Sequence, residues 1–244
     1  MKLLLTSNGI TNPSIHRALV DLLGKPIAEA NALFVATGMY PYPGGLGYAW
    51  KAIAGKSHHP FAEMGWKSFG NLELSVLSSV DRDVWLPALR ETDAILVWGG
   101  DPLFIAHWLR ASGVAEIIPT LNAVYVGTSA GSMLTASTFV ETYTNPRRCA
   151  GEPLSSEPIV FPGNVERTLV KARGMGWVDF AIIPHLDGEH HPDATPENTE
   201  RWASHSALPT YALDDNSAIV VADGRVDVVS EGNWKRFEPT RLHP

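Results

Sequence analysis

A serine occupies the centre of a Gly-x-Ser-x-Gly motif that directly follows an apolar run. The motif spans Gly127–Gly131 and reads GTSAG, and the run before it, Val124–Val126, reads VYV. This order is the signature of a nucleophile elbow, in which a buried strand delivers a serine onto a sharp strand-to-helix turn and the flanking glycines permit the tight backbone. Such a turn exposes the hydroxyl at the carboxyl edge of a sheet. We therefore predict that Ser129 is a nucleophile, the alternative being an ordinary Gly/Ser turn.

A serine nucleophile needs a general base and an acid that orients the base. Of the nine histidines, His185 is the best placed, because it follows the apolar run Phe180–Ile183 and a proline and would leave the sheet at the same edge as the serine. Two aspartates compete for the role of the acid. Asp187 lies two residues beyond the histidine, whereas Asp215 follows the apolar stretch Tyr211–Leu213 at another predicted strand end.

The developing oxyanion in such a reaction needs two N–H groups aimed at one point. The geometry of the elbow supplies the amide of Ala130. The turn Trp98–Asp101 contains a Gly-Gly pair after a predicted strand, and a glycine lets a backbone N–H approach the oxygen without a Cβ in the way. We predict that Gly100 and Ala130 form the oxyanion hole.

The elements that must position these residues alternate along the first two-thirds of the chain. Strands that are apolar throughout are expected where helices cover both faces of a sheet, and the alternation implies right-handed βαβ units and a mostly parallel sheet. The predicted strands are Lys2–Thr6, Ala32–Ala36, Leu72–Val76, Ala94–Val97, Val124–Val126 and Phe180–Ile183, and the predicted helices lie near Ser14–Leu23, Val84–Glu91, Phe104–Ser112, Gly131–Ala136 and Glu197–His205.

The C-terminal part of the chain predicts a small antiparallel addition. Its strands are Thr210–Leu213, Ala218–Ala222 and Val226–Ser230. The last two are joined by Asp223-Gly224, which is a hairpin turn signal. Since neither a repeat nor a linker divides the chain, we expect one doubly wound α/β domain over residues 1–244. The Gly/Pro-rich segments 40–47 and 188–196 are expected at the carboxyl rim of the sheet, where such folds bind ligands.

Composition excludes several classes of function. The 244 residues carry a formal net charge of −7, which argues against nucleic acid as a partner. No apolar run approaches the length of a membrane span, and Met1–Ser7 is too short for the core of a signal peptide and is predicted to be the first strand. A single cysteine, Cys149, leaves no internal disulfide and is typical of the reducing cytoplasm, where we expect the protein.

The segment His185–His191 combines three histidines with two acidic residues and raises the question of a metal site. Its spacing matches none of the standard zinc patterns. A catalytic histidine also cannot serve as base and ligand together. We expect neither a metal nor another cofactor.

These residues resemble the peptidase E family of serine peptidases, which is related to the cyanophycinases. The likeness extends over most of the chain and includes Leu3–Asn8, Gly99–Asp101, the elbow, Pro184-His185 and Leu213–Val220. The resemblance implies a glutamine-amidotransferase-like α/β sandwich with a triad in the order serine, histidine, acid. It also implies that the acid is Asp215 rather than Asp187, and that the acidic motif at 231–234, one hairpin later, is not the acid.

The chain departs from the family pattern at two places. Where the family has a third glycine and an asparagine, this sequence has Trp98 and Asp101. Where aspartyl dipeptidases of the family place an arginine that binds the aspartate side chain of the substrate, this sequence has Pro196. Because bidentate recognition of a carboxylate needs a guanidinium fork, we do not expect strict Asp-X specificity. Asp101, His190 and Arg201 are the candidate substrate-binding residues.

The sequence therefore predicts a serine peptidase that hydrolyses dipeptides or tripeptides through Ser129, His185 and Asp215. One alternative is a cyanophycinase-like isopeptidase or an esterase on the same fold. The other alternative is a catalytically inactive binding module. The expected partner is a short peptide substrate, and a homodimer is left open.

Overall fold

The computed structural model describes residues 1–57, 61–145 and 149–239, and within them the chain forms thirteen strands and seven α-helices. The strands are β1 (Lys2–Thr6), β2 (Asn31–Val35), β3 (Ser68–Asn71), β4 (Ala94–Val97), β5 (Val124–Thr128), β6 (Thr138–Tyr143), β7 (Ser155–Phe161), β8 (Val165–Arg173), β9 (Ala181–Ile183), β10 (Thr210–Leu213), β11 (Ser217–Ala222), β12 (Arg225–Ser230) and β13 (Trp234–Phe237). The helices are α1 (Pro13–Leu23), α2 (Gly45–Ile53), α3 (Arg82–Glu91), α4 (Pro102–Ala111), α5 (Val114–Ile117), α6 (Ala130–Met133) and α7 (Pro196–Ala203). Within these described segments, no helix combines the length and the apolar character that crossing a bilayer requires.

The central sheet has seven strands in the order β12-β11-β1-β5-β4-β2-β3. The five strands from β1 to β3 in this order are parallel, and β11 and β12 are antiparallel to them at one edge. Strands β4 and β5 are buried at every position, as expected of strands whose two faces are both covered. The structure thus confirms the predicted α/β class with a mostly parallel sheet and an antiparallel C-terminal addition.

The register of the central sheet decides which residues meet at its carboxyl edge. Thr6 at the end of β1 lies opposite Thr128 at the end of β5. The residues that follow, Ser7 and Ser129, therefore leave the sheet side by side. The serine of the motif is in this way placed next to the first turn of the chain.

A second sheet, in the order β13-β10-β9, carries the histidine and the aspartate. We expected Phe180–Ile183 in the same sheet as the serine, and this is wrong, because β9 belongs to the second sheet. Thr210–Leu213, expected in the antiparallel addition, forms β10, which is antiparallel to β13 but parallel to β9. Strands β9 and β10 are parallel neighbours in this separate sheet, with Ala212 opposite Ile183. Because parallel strands end at the same edge, the residues that follow β9 and β10 lie next to each other.

A third sheet, in the order β6-β8-β7, is antiparallel and was not predicted from the sequence. Its inner face contributes Phe139, Phe161 and Leu169 to the core. Strand β7 is mostly exposed, and only two of its seven residues are buried, which is too few to give a clear alternation of apolar and polar residues. This explains why the pattern was missed.

Three further elements differ from the sequence prediction. The predicted strand Leu72–Val76 is wrong, because β3 lies just before it and residues 74–79 form a 3₁₀ helix. This helix begins where the carboxylate of Glu73 accepts a hydrogen bond from the Ser75 amide. Helix α2 lies partly in the segment taken as loop, and β13 was not predicted. The hairpin at Asp223-Gly224 is confirmed, since both residues have positive φ angles and join β11 to β12.

Candidate active site

Ser129 lies on a strained turn between β5 and α6. Its backbone has φ 52° and ψ −116°, a region that a non-glycine residue occupies only at a cost of about 1–3 kcal/mol. Two hydrogen bonds to the end of β1 hold the turn. The Ser129 amide donates to the Thr6 carbonyl at 3.0 Å, and the buried Ser132 hydroxyl donates to the same carbonyl at 2.8 Å.

The two glycines of the motif are required by close packing. A Cβ on Gly127 would lie 2.7 Å from the Gly131 carbonyl oxygen, and a Cβ on Gly131 would lie 2.3 Å from the carbonyl oxygen of Val97 on β4. Neither position has room for a side chain. The glycines of the motif are therefore needed for α6 to pack closely against the sheet.

The structure brings Ser129, His185 and Asp215 into one line of hydrogen bonds. Ser129 Oγ lies 2.9 Å from His185 Nε2, and His185 Nδ1 lies 2.7 Å from Asp215 Oδ1. Since an ionised carboxylate only accepts hydrogen bonds, Nδ1 carries the ring proton and Nε2 accepts from the serine hydroxyl. Such an arrangement can remove the proton from the hydroxyl as it attacks a carbonyl carbon.

Ser7 joins this line from the end of β1. The His185 amide donates to Ser7 Oγ at 2.8 Å, and Ser7 Oγ donates to Asp215 Oδ1 at 3.2 Å. His185 has a φ of 60° and is only 8% exposed. Ser7 is itself fully buried. The hydroxyl of Ser7 thus connects the central sheet to both of the residues that follow β9 and β10.

The carboxyl group of Asp215 is held in its ionised form. Partial burial acts to raise its pKa, but hydrogen bonds from His185 and Ser7 and the charge on His185 outweigh burial and lower the pKa below its usual value. The Thr11 hydroxyl also donates to the Asp215 carbonyl at 2.8 Å and fixes the backbone there. The aspartate is therefore a permanent acceptor for the imidazole N–H at neutral pH.

The rival acids from the sequence lie elsewhere. Asp187 is exposed, and its amide donates to the Ala194 carbonyl at 2.7 Å within a loop. Glu231 accepts hydrogen bonds from the amide and the hydroxyl of Ser14 at the start of α1. Asp215 is the carboxylate that reaches the histidine.

The Gly-Gly turn after β4 lies against the serine. A Cβ on Gly99 would lie 3.1 Å from Ser129 Cβ, and Gly100 has a φ of +125° with only 2.1 Å between an added Cβ and the Gly38 carbonyl oxygen. Gly100 lines the same cleft as the serine. Ala130 is the first residue of α6, so its amide has no acceptor within the helix. The bulky Trp98 packs instead against core aromatics, with ring centroids 5.5 Å from Phe61.

Ser129 and His185 open into a cleft of about 780 Å³. A cavity of about 890 Å³ also exists beside α4, but the serine and histidine belong to the smaller one. The walls of the cleft come from the loop at 41–43, from β6 and from the loop at 190–194. The remaining described lining residues are Gly100, Thr144, Asn145, Cys149, Pro184 and Trp202.

Of the three predicted substrate-binding residues, only His190 lines this cleft. Asp101 is fully buried, and its Oδ1 accepts from the Phe104 amide at 3.0 Å, so that it caps the N-terminus of α4. Arg201 is exposed on α7 and is not among the described residues that line the cleft. A helix cap and a helix-surface charge account for these two residues.

Two residues at the site were missed by sequence reasoning. Ser7 could have been found, because it follows β1 as the motif serine follows β5, and neighbouring parallel strands end together. His191 lies in a loop, and no local pattern places it. Among the described residues, no group of three His, Cys, Asp or Glu side chains is arranged to hold a metal ion.

A nucleophile elbow at the edge of a parallel sheet, with an imidazole on the serine hydroxyl, defines a serine hydrolase. The sequence model of peptidase family S51 matches residues 3–229. The chain therefore belongs to peptidase family S51, the peptidase E family, and is a serine-type peptidase. This confirms the resemblance found in the sequence.

Solved structures share the fold. A candidate peptidase E protein from Listeria monocytogenes EGD-e is 16% identical, with a TM-score of 0.58 over 95% of this chain and 98% of that chain. A peptidase from an acI-B1 Actinobacterium is also 16% identical, with a TM-score of 0.60 over 98% of this chain and 94% of that chain. A comparison with curated proteins gave no match.

Proposed function

We propose that this serine peptidase hydrolyses short peptides, dipeptides or tripeptides, with Ser129, His185 and Asp215 as its catalytic triad. The observation that carries the proposal is the unbroken line of hydrogen bonds, 2.9 Å from the serine to the histidine and 2.7 Å from the histidine to the aspartate. The strained backbone of Ser129 and the buried imidazole of His185 support it, because both features cost folding free energy and are concentrated at functional sites.

In this reaction Ser129 Oγ attacks the scissile carbonyl carbon while His185 Nε2 takes the hydroxyl proton. The C–N bond then breaks, and the histidine returns the proton to the leaving amine. Water attacks the resulting acyl-serine ester by the same route, releasing the carboxylic acid and restoring the hydroxyl. Asp215 holds the tautomer of the imidazole throughout. The amides of Gly100 and Ala130 stabilise the tetrahedral oxyanion.

The dimensions of the cleft support a small substrate. Its volume of about 780 Å³ lies within the range of roughly 300–1,000 Å³ typical of small-molecule sites. No lysine or arginine among the described residues lines it, which gives no support for a strict preference for an aspartate side chain. We expect turnover to fall as the peptide grows beyond three or four residues.

The test is digestion of a dipeptide and tripeptide library by the wild type and by Ser129→Ala. Loss of the nucleophile should lower kcat/KM by at least about a thousandfold. Ser206→Ala is the matched control, because it removes another buried serine hydroxyl, whose hydrogen bonds within the described part of the chain are with Leu208. A fluorophosphonate probe should label the wild type and the control but not Ser129→Ala.

The alternatives predict different results in the same assay. Cleavage of β-aspartyl dipeptides alone would indicate a cyanophycinase-like isopeptidase, and cleavage of esters alone an esterase. Absence of probe labelling on folded wild type would contradict the proposed nucleophile and indicate an inactive binding module.

A further inference from the structure

The ring of His191 lies flat on the ring of His185. The two ring centroids are 3.8 Å apart, and the planes differ by 4°. Both nitrogens of His185 are already engaged, Nε2 with Ser129 and Nδ1 with Asp215. His191 therefore contacts the imidazole through one of its faces, a direction in which these in-plane hydrogen bonds give little support.

A loop closed by backbone hydrogen bonds brings His191 back over His185. The Gly188 amide donates to the His185 carbonyl at 2.9 Å, and the His191 amide donates to the Gly188 carbonyl at 3.0 Å. The Ala194 amide donates to the His191 carbonyl at 2.9 Å, and the Asp187 amide closes the loop on the Ala194 carbonyl at 2.7 Å. This succession of turns leaves little freedom for the position of His191.

Side chains from two other elements anchor the far end of the loop. Arg167 on β8 donates through Nε to Asp193 Oδ2 at 2.6 Å. The buried Asn198 on α7 donates through Nδ2 to the Asp193 carbonyl at 2.8 Å. The stacked ring is thus carried by a segment that side chains of β8 and α7 hold at Asp193, two residues after His191.

The charge state of His191 suits this position. His191 is among the exposed residues, yet partial burial of its ring lowers its pKa, and the neighbouring His185 and His190 lower it further, so that the pKa falls to about 4 although Asp215 acts to raise it. The ring is therefore neutral at pH 7. A neutral ring tolerates the imidazolium that forms on His185 during the reaction, whereas a charged ring would repel it.

We propose that His191 is a positioning residue, whose stacked ring holds the imidazole of His185 in the plane from which it reaches both Ser129 and Asp215. Hydrogen bonds at Nδ1 and Nε2 fix the rotation of the ring within its plane but resist tilting only weakly, and the stacked face supplies that restraint. The inference rests on the proposed role of His185 as general base.

The test compares His191→Ala and His191→Phe on the best dipeptide substrate. Because a small misplacement of a catalytic group is costly, His191→Ala should lower kcat by about tenfold or more and change KM by less than about threefold. His191→Phe keeps a flat ring and should restore kcat to within about threefold of the wild type. Glu189→Ala is the control, since it truncates an exposed side chain of the same loop and should leave kcat unchanged.

A second measurement does not depend on turnover. The proton shared by His185 Nδ1 and Asp215 should give a low-field ¹H NMR signal that is sharp in the wild type and in His191→Phe and broadened by exchange in His191→Ala. If the wild type cleaves no peptide, the proposed function fails, and this signal still decides the role of His191.

Three outcomes would overturn the inference. One is a His191→Ala variant equal to the wild type in kcat and in the NMR signal. Another is a His191→Phe variant as slow as His191→Ala, because stacking would then not be what matters. The third is an effect on KM alone, which would make His191 a substrate contact.

Discussion

Ser7 links the two sheets whose edges supply the site, and its role can be tested separately from that of the nucleophile. Its hydroxyl accepts the His185 amide proton and donates its own proton to Asp215. Replacement by alanine leaves a buried N–H without its acceptor, which costs about 1–3 kcal/mol. It also removes one of the hydrogen bonds that keep the Asp215 carboxyl ionised.

We expect Ser7→Ala to lower kcat by about tenfold and the free energy of unfolding by about 1–3 kcal/mol. Ser206→Ala removes a comparable buried hydroxyl away from the site and should reduce stability without changing kcat. Kinetics on a dipeptide and urea unfolding of both variants provide the measurement. Equal kcat values for the two variants would show that the hydroxyl of Ser7 is only structural.

Asp215→Asn separates the orienting acid from its rivals. The amide can present an N–H to Nδ1 and so favours the wrong imidazole tautomer, in which Nε2 carries the proton. By analogy with other serine triads, kcat should fall by about 10³–10⁴-fold. Asp187→Asn should change kcat little, because that carboxylate does not reach the imidazole. A larger loss in Asp187→Asn than in Asp215→Asn would reverse the assignment.

Residues that follow strands were the easiest to predict from the sequence. An apolar run that ends in a polar residue marks a sheet edge, which is why Ser129 and His185 were selected, whereas the choice of Asp215 over Asp187 rested on the resemblance to the peptidase E family. Arg201 does not follow a predicted strand, and only its charge suggested a role in substrate binding. His191 could not be predicted, because its position depends on a succession of turns between residues 185 and 194 and on the hold of Arg167 and Asn198 on Asp193.

At the scale of elements, α6 must approach β4 closely for the elbow to form. Gly131→Ala would place a Cβ 2.3 Å from the Val97 carbonyl oxygen. We expect a loss of about 1–3 kcal/mol in the free energy of unfolding from overpacking, together with a large loss of kcat as the serine is displaced. Urea unfolding and dipeptide kinetics measure the two effects.

Gly47→Ala is the matched control for this substitution. Gly47 lies on the exposed side of α2, with no atom within 4 Å of an added Cβ. Alanine in a helix should raise stability by about 0.5–1 kcal/mol and leave kcat unchanged. A Gly131→Ala variant as stable and active as this control would contradict the packing argument for the motif.

The elements also explain why the histidine and the aspartate were found although their sheet was misassigned. His185 was expected to leave the same sheet as Ser129, and that expectation is wrong, but β9 and β10 are parallel neighbours in their own small sheet and so end at the same edge. Which sheet they join depends on long-range pairing, to which β13 contributes from far along the chain. Such pairing leaves no local trace in the sequence.

At the scale of the whole molecule, alternation of apolar and amphipathic segments was enough to predict the α/β class. It could not reveal the antiparallel sheet formed by β6, β7 and β8, whose outer strand is largely exposed. That sheet contributes Glu141, Thr142 and Tyr143 to the cleft. The sequence therefore predicted the edge that carries Ser129, His185 and Asp215 better than the walls of the cleft beside it.

The stability of the whole molecule should fall in two stages as the pH is lowered. The pKa of His191 is about 4 in the folded chain and 6.5 ordinarily. Between these pH values the unfolded state binds a proton at His191 and the folded state does not. The free energy of unfolding therefore falls as the pH is lowered through this range. Asp93 and Asp215 behave differently, because their folded pKa values lie below the usual 3.8. Their contributions are present above that value and disappear as the pH falls through the lowered pKa.

The two stages can be separated by urea unfolding near pH 7, 5 and 3. His191→Phe cannot be protonated and should lose less stability than the wild type between about pH 7 and 5. Asp93→Asn loses the ion pair with Lys25 and should instead show a smaller decline below about pH 4. If the free energy of unfolding of His191→Phe fell as steeply as that of the wild type between pH 7 and 5, the proton would bind to another group on unfolding. That result would contradict a lowered pKa for His191.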